Sequence, residues 1–152
     1  MSKNKVVSTR KSLPIALLRS REAVMQLFRP HLARIGLTEQ QWRVLRVLGE
    51  DGTSEAGHVA ERACILPPSL SRIIKALEER GLIFSSRNKD DGRRTMIEIT
   101  ESGLRFLETA APQSSAIYVS IEKAFGKGEL ADLLNKLERL QKAVGEVRLT
   151  GD

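Results

Sequence analysis

The run "TSEAGHVAERACILPPSLSRIIKALEERG", residues 53–81, holds two short helical patterns on either side of the break "CILPP". The first covers Ala56 to Arg62. The second opens at Pro67 or Pro68, since a missing N–H costs nothing at the first helical position, and closes before Gly81, where a glycine suits the residue just past a helix. Within it Leu70, Ile73, Ile74 and Leu77 recur at helical spacing and point inward. Pro68, Ser69, Ser71, Arg72, Lys75 and Glu79 are left facing outward. Two short helices joined this tightly predict a helix-turn-helix.

The residues after Gly81 decide which kind. "LIFSSRN" (82–88) and "TMIEIT" (95–100) read as strands, with Met96 and Glu98 alternating against Ile97 and Ile99, and "KDDG" between them is a turn signal. A β-hairpin directly after a recognition helix is the element order of a winged helix. The expected fold class is therefore mainly α with a small β-hairpin wing, an α+β winged helix-turn-helix whose lobe spans about residues 38–100.

One more helix opens this lobe, and long helices flank it. In "LTEQQWRVLRVLGEDG" (37–52), Thr38 is the expected N-cap, Glu39 sits in the first turn, and Trp42, Leu45 and Leu48 share a face before Gly49 and Gly52. Upstream, residues 13–36 place Leu17, Val24, Leu27, Phe28 and Leu32 on one stripe of a long first helix. Pro30 predicts a kink or an early break near residue 29, because proline removes a donor and crowds the preceding turn; Gly36 supplies the stop. Thr100, Ser102 and Gly103 open a further helical pattern, with an interruption expected near Pro112. The last segment carries Leu130, Leu133, Leu134, Leu137, Leu140 and Val144 on one side. These outer stripes, about 13–35 and 101–148, need one another or a second chain, and a two-fold homodimer is the economical solution. A monomeric helical bundle is the alternative.

Composition narrows the function. Twenty-five Lys and Arg against nineteen Asp and Glu give a net charge of +6 on 152 residues, the size of a single domain that favours polyanions. "MSKNKVVSTRKSLP" (1–14) is polar throughout, so residues 1–12 are expected as a flexible basic arm, and no later stretch reaches membrane-spanning length. A soluble, cytoplasmic protein with no membrane partner is expected. One cysteine and two separated histidines argue against disulfides or a zinc site, so no metal or cofactor is implied.

The chemistry of contact can be read from the outward residues. Ser69, Ser71 and Arg72 suit base edges of double-stranded DNA in the major groove, and Lys75 a phosphate. The plain alternative is a solvated helix face with Arg72 and Lys75 paired to Glu78 and Glu79. In the hairpin, Arg87, Lys89, Arg93 and Arg94 surround Asp90 and Asp91. A carboxylate there can bond one guanidinium bidentately and aim another outward, Gly92 permits the tight turn, and an arginine on a narrow loop suits the minor groove. A solvated turn with incidental ion pairs is the alternative. Hydrolysis by Asp90 and Asp91 would need a pocket and a nucleophile that an exposed turn lacks, so an enzyme is not expected.

"LTEQQWRVLRVL", "HVAERACILPPSLSRIIKALEERGLI" and "RNKDDGRRTMIEITESG" together resemble the MarR family of winged-helix transcription factors, from Leu13 to Val147. Asp91-Gly92-Arg93 followed by an apolar strand is the most specific element. "LLRSREAVMQLFRPHL", "TEQQWRVLRVL" and "ACILPPSLSRI" are particularly similar to the subgroup that represses homoprotocatechuate (4-hydroxyphenylacetate) catabolism. The resemblance implies an obligate homodimer of single-domain chains (13–152), a palindromic operator, and release by a small aromatic acid. It gives the recognition role to Ser69, Ser71, Arg72 and Lys75, and the wing role to Arg93 with Asp91 as its orienting partner.

It also places an effector where the dimer helices meet the lobe. Arg21 shares a stripe with Leu17, Val24 and Phe28, so its charge is expected to be partly buried and to need an anion. A ligand carboxylate could supply one, with Phe28 and Trp42 as aromatic walls and Ser20, His31 or Arg46 adding polar contacts. A carboxylate across the dimer, or a reach to solvent, would serve Arg21 equally. Cys64, in the apolar setting "ACIL", is expected to be a buried structural residue in preference to a redox switch. A cysteine-based redox regulator and a winged-helix protein–protein interaction module stand as alternatives to the ligand-released repressor.

Overall fold

The computed structural model describes residues 8–148; residues 1–7, most of the expected basic arm, and 149–152 lie outside the described residues. After a 3-10 turn at Thr9–Lys11 come α1 (Leu13–Ile35), α2 (Glu39–Asp51), β1 (Ser54–Glu55), α3 (Ala56–Arg62) and α4 (Pro67–Glu79). Strands β2 (Ile83–Arg87) and β3 (Thr95–Ile99), then helices α5 (Glu101–Phe125) and α6 (Lys127–Gly145), complete the order. The chain forms two compact units, one up to Ser114 and the other from Ser115 onward. No helix among the described residues is long and apolar enough to cross a membrane.

Local chemistry explains most boundaries. Thr38 and Gln41 form a reciprocal capping box, Gln41 N–H donating to Thr38 Oγ1 and Thr38 N–H to Gln41 Oε1, each at 3.1 Å. Helix α2 runs through Gly49, where an added Cβ would stand 2.5 Å from Leu107 Cδ1. Helices α1, α3 and α4 end in the same way. At each end a residue with positive φ lets the next N–H reach back five residues: Leu37 to Leu32 O, Ile65 to Ala60 O, and Leu82 to Leu77 O. Gly36 and Gly81 hold φ 68° at two of these ends, whereas α3 uses Cys64 at φ 52°.

That cap corrects the reading of Cys64, which is exposed. The left-handed turn sends Ala63 and Ile65 into the core at 2% and 6% exposure and rotates the thiol outward. The two prolines do not break their helices. Both α1 and α5 continue through Pro30 and Pro112 without a break. Each proline removes one backbone bond, and in helices of 23 and 25 residues propagation on both sides outlasts that loss.

The first unit's core is the winged lobe. Val44, Leu45, Leu48, Val59, Leu77 and Ile97 are fully buried, joined by Phe28 and Leu32 from α1. Strand β1, which sequence periodicity cannot detect at two residues, pairs antiparallel with β3 through Ser54–Ile97 and Glu55–Met96, giving a sheet of order β1-β3-β2. The hairpin is therefore braced from behind. Gly103 lets α5 approach it: a Cβ there would lie 2.2 Å from Leu82 O and 2.6 Å from Ile99 Cγ1. In contrast α6 buries no residue, and Leu134 and Val144 are 58% and 57% exposed.

Candidate nucleic-acid interface

Helix α4 begins where extended Leu66 meets Pro67 and Pro68, which lose nothing by lacking donors in the first turn. Its inward residues Leu70, Ile73 and Leu77 are 3%, 6% and 0% exposed, while Ile74 is half-buried. Pro68, Ser71, Arg72 and Lys75 face solvent and Ser69 is half-buried. Thirteen residues span about 20 Å, the scale of a major-groove contact. The alternative pairing with Glu78 and Glu79 does not form. Glu78 instead accepts the Ser85 N–H at 2.7 Å and the Ser85 hydroxyl, tying α4 to β2. Arg72 and Lys75 make no ion pair among the described residues.

Strands β2 and β3 run in register from Ile83–Ile99 to Arg87–Thr95 and carry a loop closed by Asn88 N–H to Arg94 O at 2.8 Å. Asn88, which sequence reasoning passed over, shapes the tip: its Oδ1 accepts the N–H groups of Asp90 at 2.8 Å and Asp91 at 3.3 Å. An asparagine immediately before the turn was the available signal. Asp91 Oδ1 accepts the backbone N–H of Arg93 at 3.0 Å, and its Oδ2 lies 3.5 Å from Arg94 Nε. Asp91 thus positions Arg93 through the backbone; the bidentate guanidinium pair expected from the sequence is absent.

The wing's four cations divide accordingly. Arg94 donates to Glu55 Oε1 at 2.8 Å, anchoring the loop to β1, and Arg87 donates to Gly92 O at 3.1 Å. Arg93 and Lys89 are exposed and form no ion pair among the described residues. Gly92 is not among the positive-φ glycines and has open space around its Cβ direction, so the turn does not depend on its missing side chain. Asn88 and Asp91 shape the turn instead, by capping its backbone donors.

The expected effector residues fall into two groups. Phe28, His31 and Trp42 are buried at 5%, 2% and 8% exposure. His31 meets the Trp42 ring edge-on at 6.1 Å and 86°, and both its ring nitrogens are buried without a hydrogen-bond partner. Burial pushes its pKa down, with Arg34 adding to the effect, so the ring is held neutral. Arg46 lies over Trp42 at 5.8 Å and pairs with Glu50 at 3.0 Å.

Ser20 and Arg21 stand apart, about 15 Å of helix rise from His31. The Ser20 hydroxyl donates to Ala16 O at 2.8 Å. Arg21 is 44% exposed, and Glu39 receives it at 2.6 Å within a network that includes Glu22 and Arg29. Its expected burial is corrected: a carboxylate of the same chain already answers a charge that remains in solvent. Sequence reasoning also missed Arg43 Nε and Ser114 Oγ, both buried without partners. Arg43 could have been noticed, since it stands between the core residues Trp42 and Val44.

Comparison with known proteins matches residues 37–95 to the MarR family. The chain is 37% identical to the HTH-type transcriptional regulator FarR of Neisseria gonorrhoeae, over 88% of this chain and 93% of that one. It is 40% identical to the homoprotocatechuate degradative operon repressor of Escherichia coli, over 84% and 86%. Among solved structures, NadR in complex with 4-hydroxyphenylacetate superposes with a TM-score of 0.78 at 35% identity, covering 90% of this chain and 96% of that one.

Proposed function

This chain belongs to the MarR family of DNA-binding transcriptional regulators, and from that premise we propose a homodimeric cytoplasmic repressor that holds a palindromic operator of an aromatic-acid catabolic operon until a small aromatic carboxylate binds. On the DNA side, Ser69, Ser71 and Arg72 read bases, Pro68 contacts them apolarly, and Lys75, Arg87, Lys89 and Arg93 meet backbone or minor groove, with Asp91 and Arg94 holding the wing. The dimer is supported by apolar side chains left about half exposed on the outer helices, Leu13, Leu18 and Leu27 on α1 and Leu134 and Val144 on α6.

The observation that carries the effector reading is His31, an imidazole 2% exposed with neither nitrogen satisfied, set against Trp42 beneath Arg46. A buried polar ring without a partner is costly. A ligand hydroxyl or carboxylate meeting His31, with the acid's charge answered by Arg46, removes that cost and fills an aromatic wall completed by Phe28. Ser20 and Arg21 take a lesser part, since they stand about 15 Å of helix rise from His31. Two lobes on one dimer must present their α4 helices about one DNA turn apart; an acid that prefers another spacing shifts the population away from the operator.

A thermal-shift screen of phenylacetates, benzoates and hydroxycinnamates tests this reading. An active acid at a hundredfold excess over its Kd stabilises the folded chain by about 2.7 kcal/mol and lowers operator affinity. Arg46→Ala and His31→Ala abolish the shift, whereas Arg21→Ala retains most of it. The effector reading is lost if no acid stabilises the wild type.

A further inference from the structure

Arg80 closes the recognition helix and yet directs its side chain elsewhere. Its Nη1 donates to Gly36 O at 2.6 Å and its Nη2 to Ile35 O at 3.3 Å, and its guanidinium lies 5.3 Å from the centre of the Phe106 ring. The last carbonyls of a helix have no partners within it, and they form the negative end of its dipole. In α1 the carbonyls of Leu32 and Ala33 are taken by Leu37 and Gly36 N–H, and Arg80 receives those of Ile35 and Gly36 at the cap itself. One cation therefore joins the end of α4 to the end of α1 and to α5.

We propose that Arg80 is a positioning residue for DNA reading, fixing the angle at which α4 presents its first turn to the bases. Leverage makes this matter. Helix α4 is about 20 Å long, so a swing of about 10° at its C-terminal end carries Ser69 and Ser71 by about 3 Å, far beyond the tolerance of a hydrogen bond. Contacts with the DNA backbone tolerate such a swing, because long flexible side chains follow a phosphate. The fork and the flat face are both used, so lysine is only a partial substitute. Arg80 thereby acts on specificity without touching DNA.

The proposal rests on the family's DNA reading alone, and survives if no aromatic acid binds. The test uses the full chain and a duplex that the wild type selects from random sequence, compared with a scrambled duplex of equal length, in titrations over a range of salt. Arg80→Ala is expected to weaken the selected duplex tenfold or more. Its affinity for the scrambled duplex stays within twofold and its salt slope is unchanged; Arg80→Lys recovers part of the loss. A slope lower by about 0.9, with both duplexes weakened alike, would make Arg80 a phosphate contact and overturn the proposal.

Unchanged affinity for the selected duplex overturns it equally. Should Arg80→Ala not fold, Phe106→Leu removes the stacking ring while leaving every charge in place. That variant is expected to lose specificity several-fold at constant slope, and no loss counts against the proposal. Melting temperatures separate the two roles, since a merely structural residue lowers Tm and leaves the ratio of selected to scrambled affinity intact. A wild type that enriches no sequence at all refutes the DNA reading itself, a different failure from an Arg80 variant that reads normally.

Discussion

Helices α4 and α6 both carry an apolar stripe at the same spacing, and they meet opposite fates. Leu70, Ile73 and Leu77 of α4 are buried at 3%, 6% and 0% exposure, whereas α6 buries nothing. Periodicity announces that a face exists; it does not say whether the same chain covers it. The contrast can be broken by truncation. Leu77→Ala should cost about 2–5 kcal/mol in denaturant unfolding at any protein concentration, because the cavity it leaves is internal. Leu134→Ala, if a second copy covers α6, should destabilise only at concentrations where the dimer persists, and its cost should vanish on dilution. A cost independent of concentration would mean that α6 is covered within its own chain.

Two glycines repeat the contrast on a smaller scale. Gly103→Ala drives a methyl to 2.2 Å from Leu82 O, a backbone atom that cannot step aside, and about 1–3 kcal/mol should be lost in thermal unfolding. Gly92→Ala meets open space at an ordinary φ and should be silent in both stability and DNA affinity. The wing arginines come next. Arg93→Ala should lower the salt slope of DNA binding by about 0.9, the loss of one phosphate contact. Arg94→Ala should leave that slope in place and weaken binding only through a looser loop, since Glu55 and Asp91 already occupy its guanidinium.

These pairs show where the sequence was informative. The helical pattern located α3 at Ala56–Arg62, the prolines and Gly81 bracketed α4 to within a residue or two, and alternation located both strands of the hairpin. Burial of Trp42 and exposure of Arg72 came from spacing alone. What escaped was set by contacts distant in the chain. Glu39 takes Arg21 from 18 residues away, so no stripe on α1 could disclose that this charge is already answered. Strand β1 exists only because β3 offers it a ladder. Cys64 sits in an apolar string, and only the left-handed cap turns it outward.

That cap gives a modest prediction. A non-glycine residue at φ 52° pays about 1–2 kcal/mol that glycine does not, against about 0.5–1 kcal/mol of extra backbone entropy. Cys64→Gly should therefore stabilise the lobe by roughly 0.5–1 kcal/mol in equilibrium unfolding, and the wild-type thiol should react with a disulfide reagent without unfolding. A thiol that reacts only in denaturant would contradict its exposure.

The smallest effect concerns a charge that is held although it is exposed. Arg62 donates to Asp51 at 3.0 Å and His58 lies 2.8 Å from the same oxygen, and these partners, Arg62 foremost, draw the Asp51 carboxyl from 3.8 down to about 2. The folded state therefore prefers the carboxylate more strongly than the unfolded chain does. Its contribution is fully present above about pH 4, where the unfolded chain is ionised too, and is lost as pH falls towards 2 and the folded state must also take up the proton. Asp51→Asn should flatten the fall of stability between pH 4 and pH 2 and leave the profile above pH 5 parallel to wild type. Solvent screening keeps the difference small, so it is best read from the slope of Tm against pH at low salt. An equal slope in the two proteins would mean that the junction of α2 and α3 gains nothing from the Asp51 pairing, and that its charges stand as open to water as those of the recognition face.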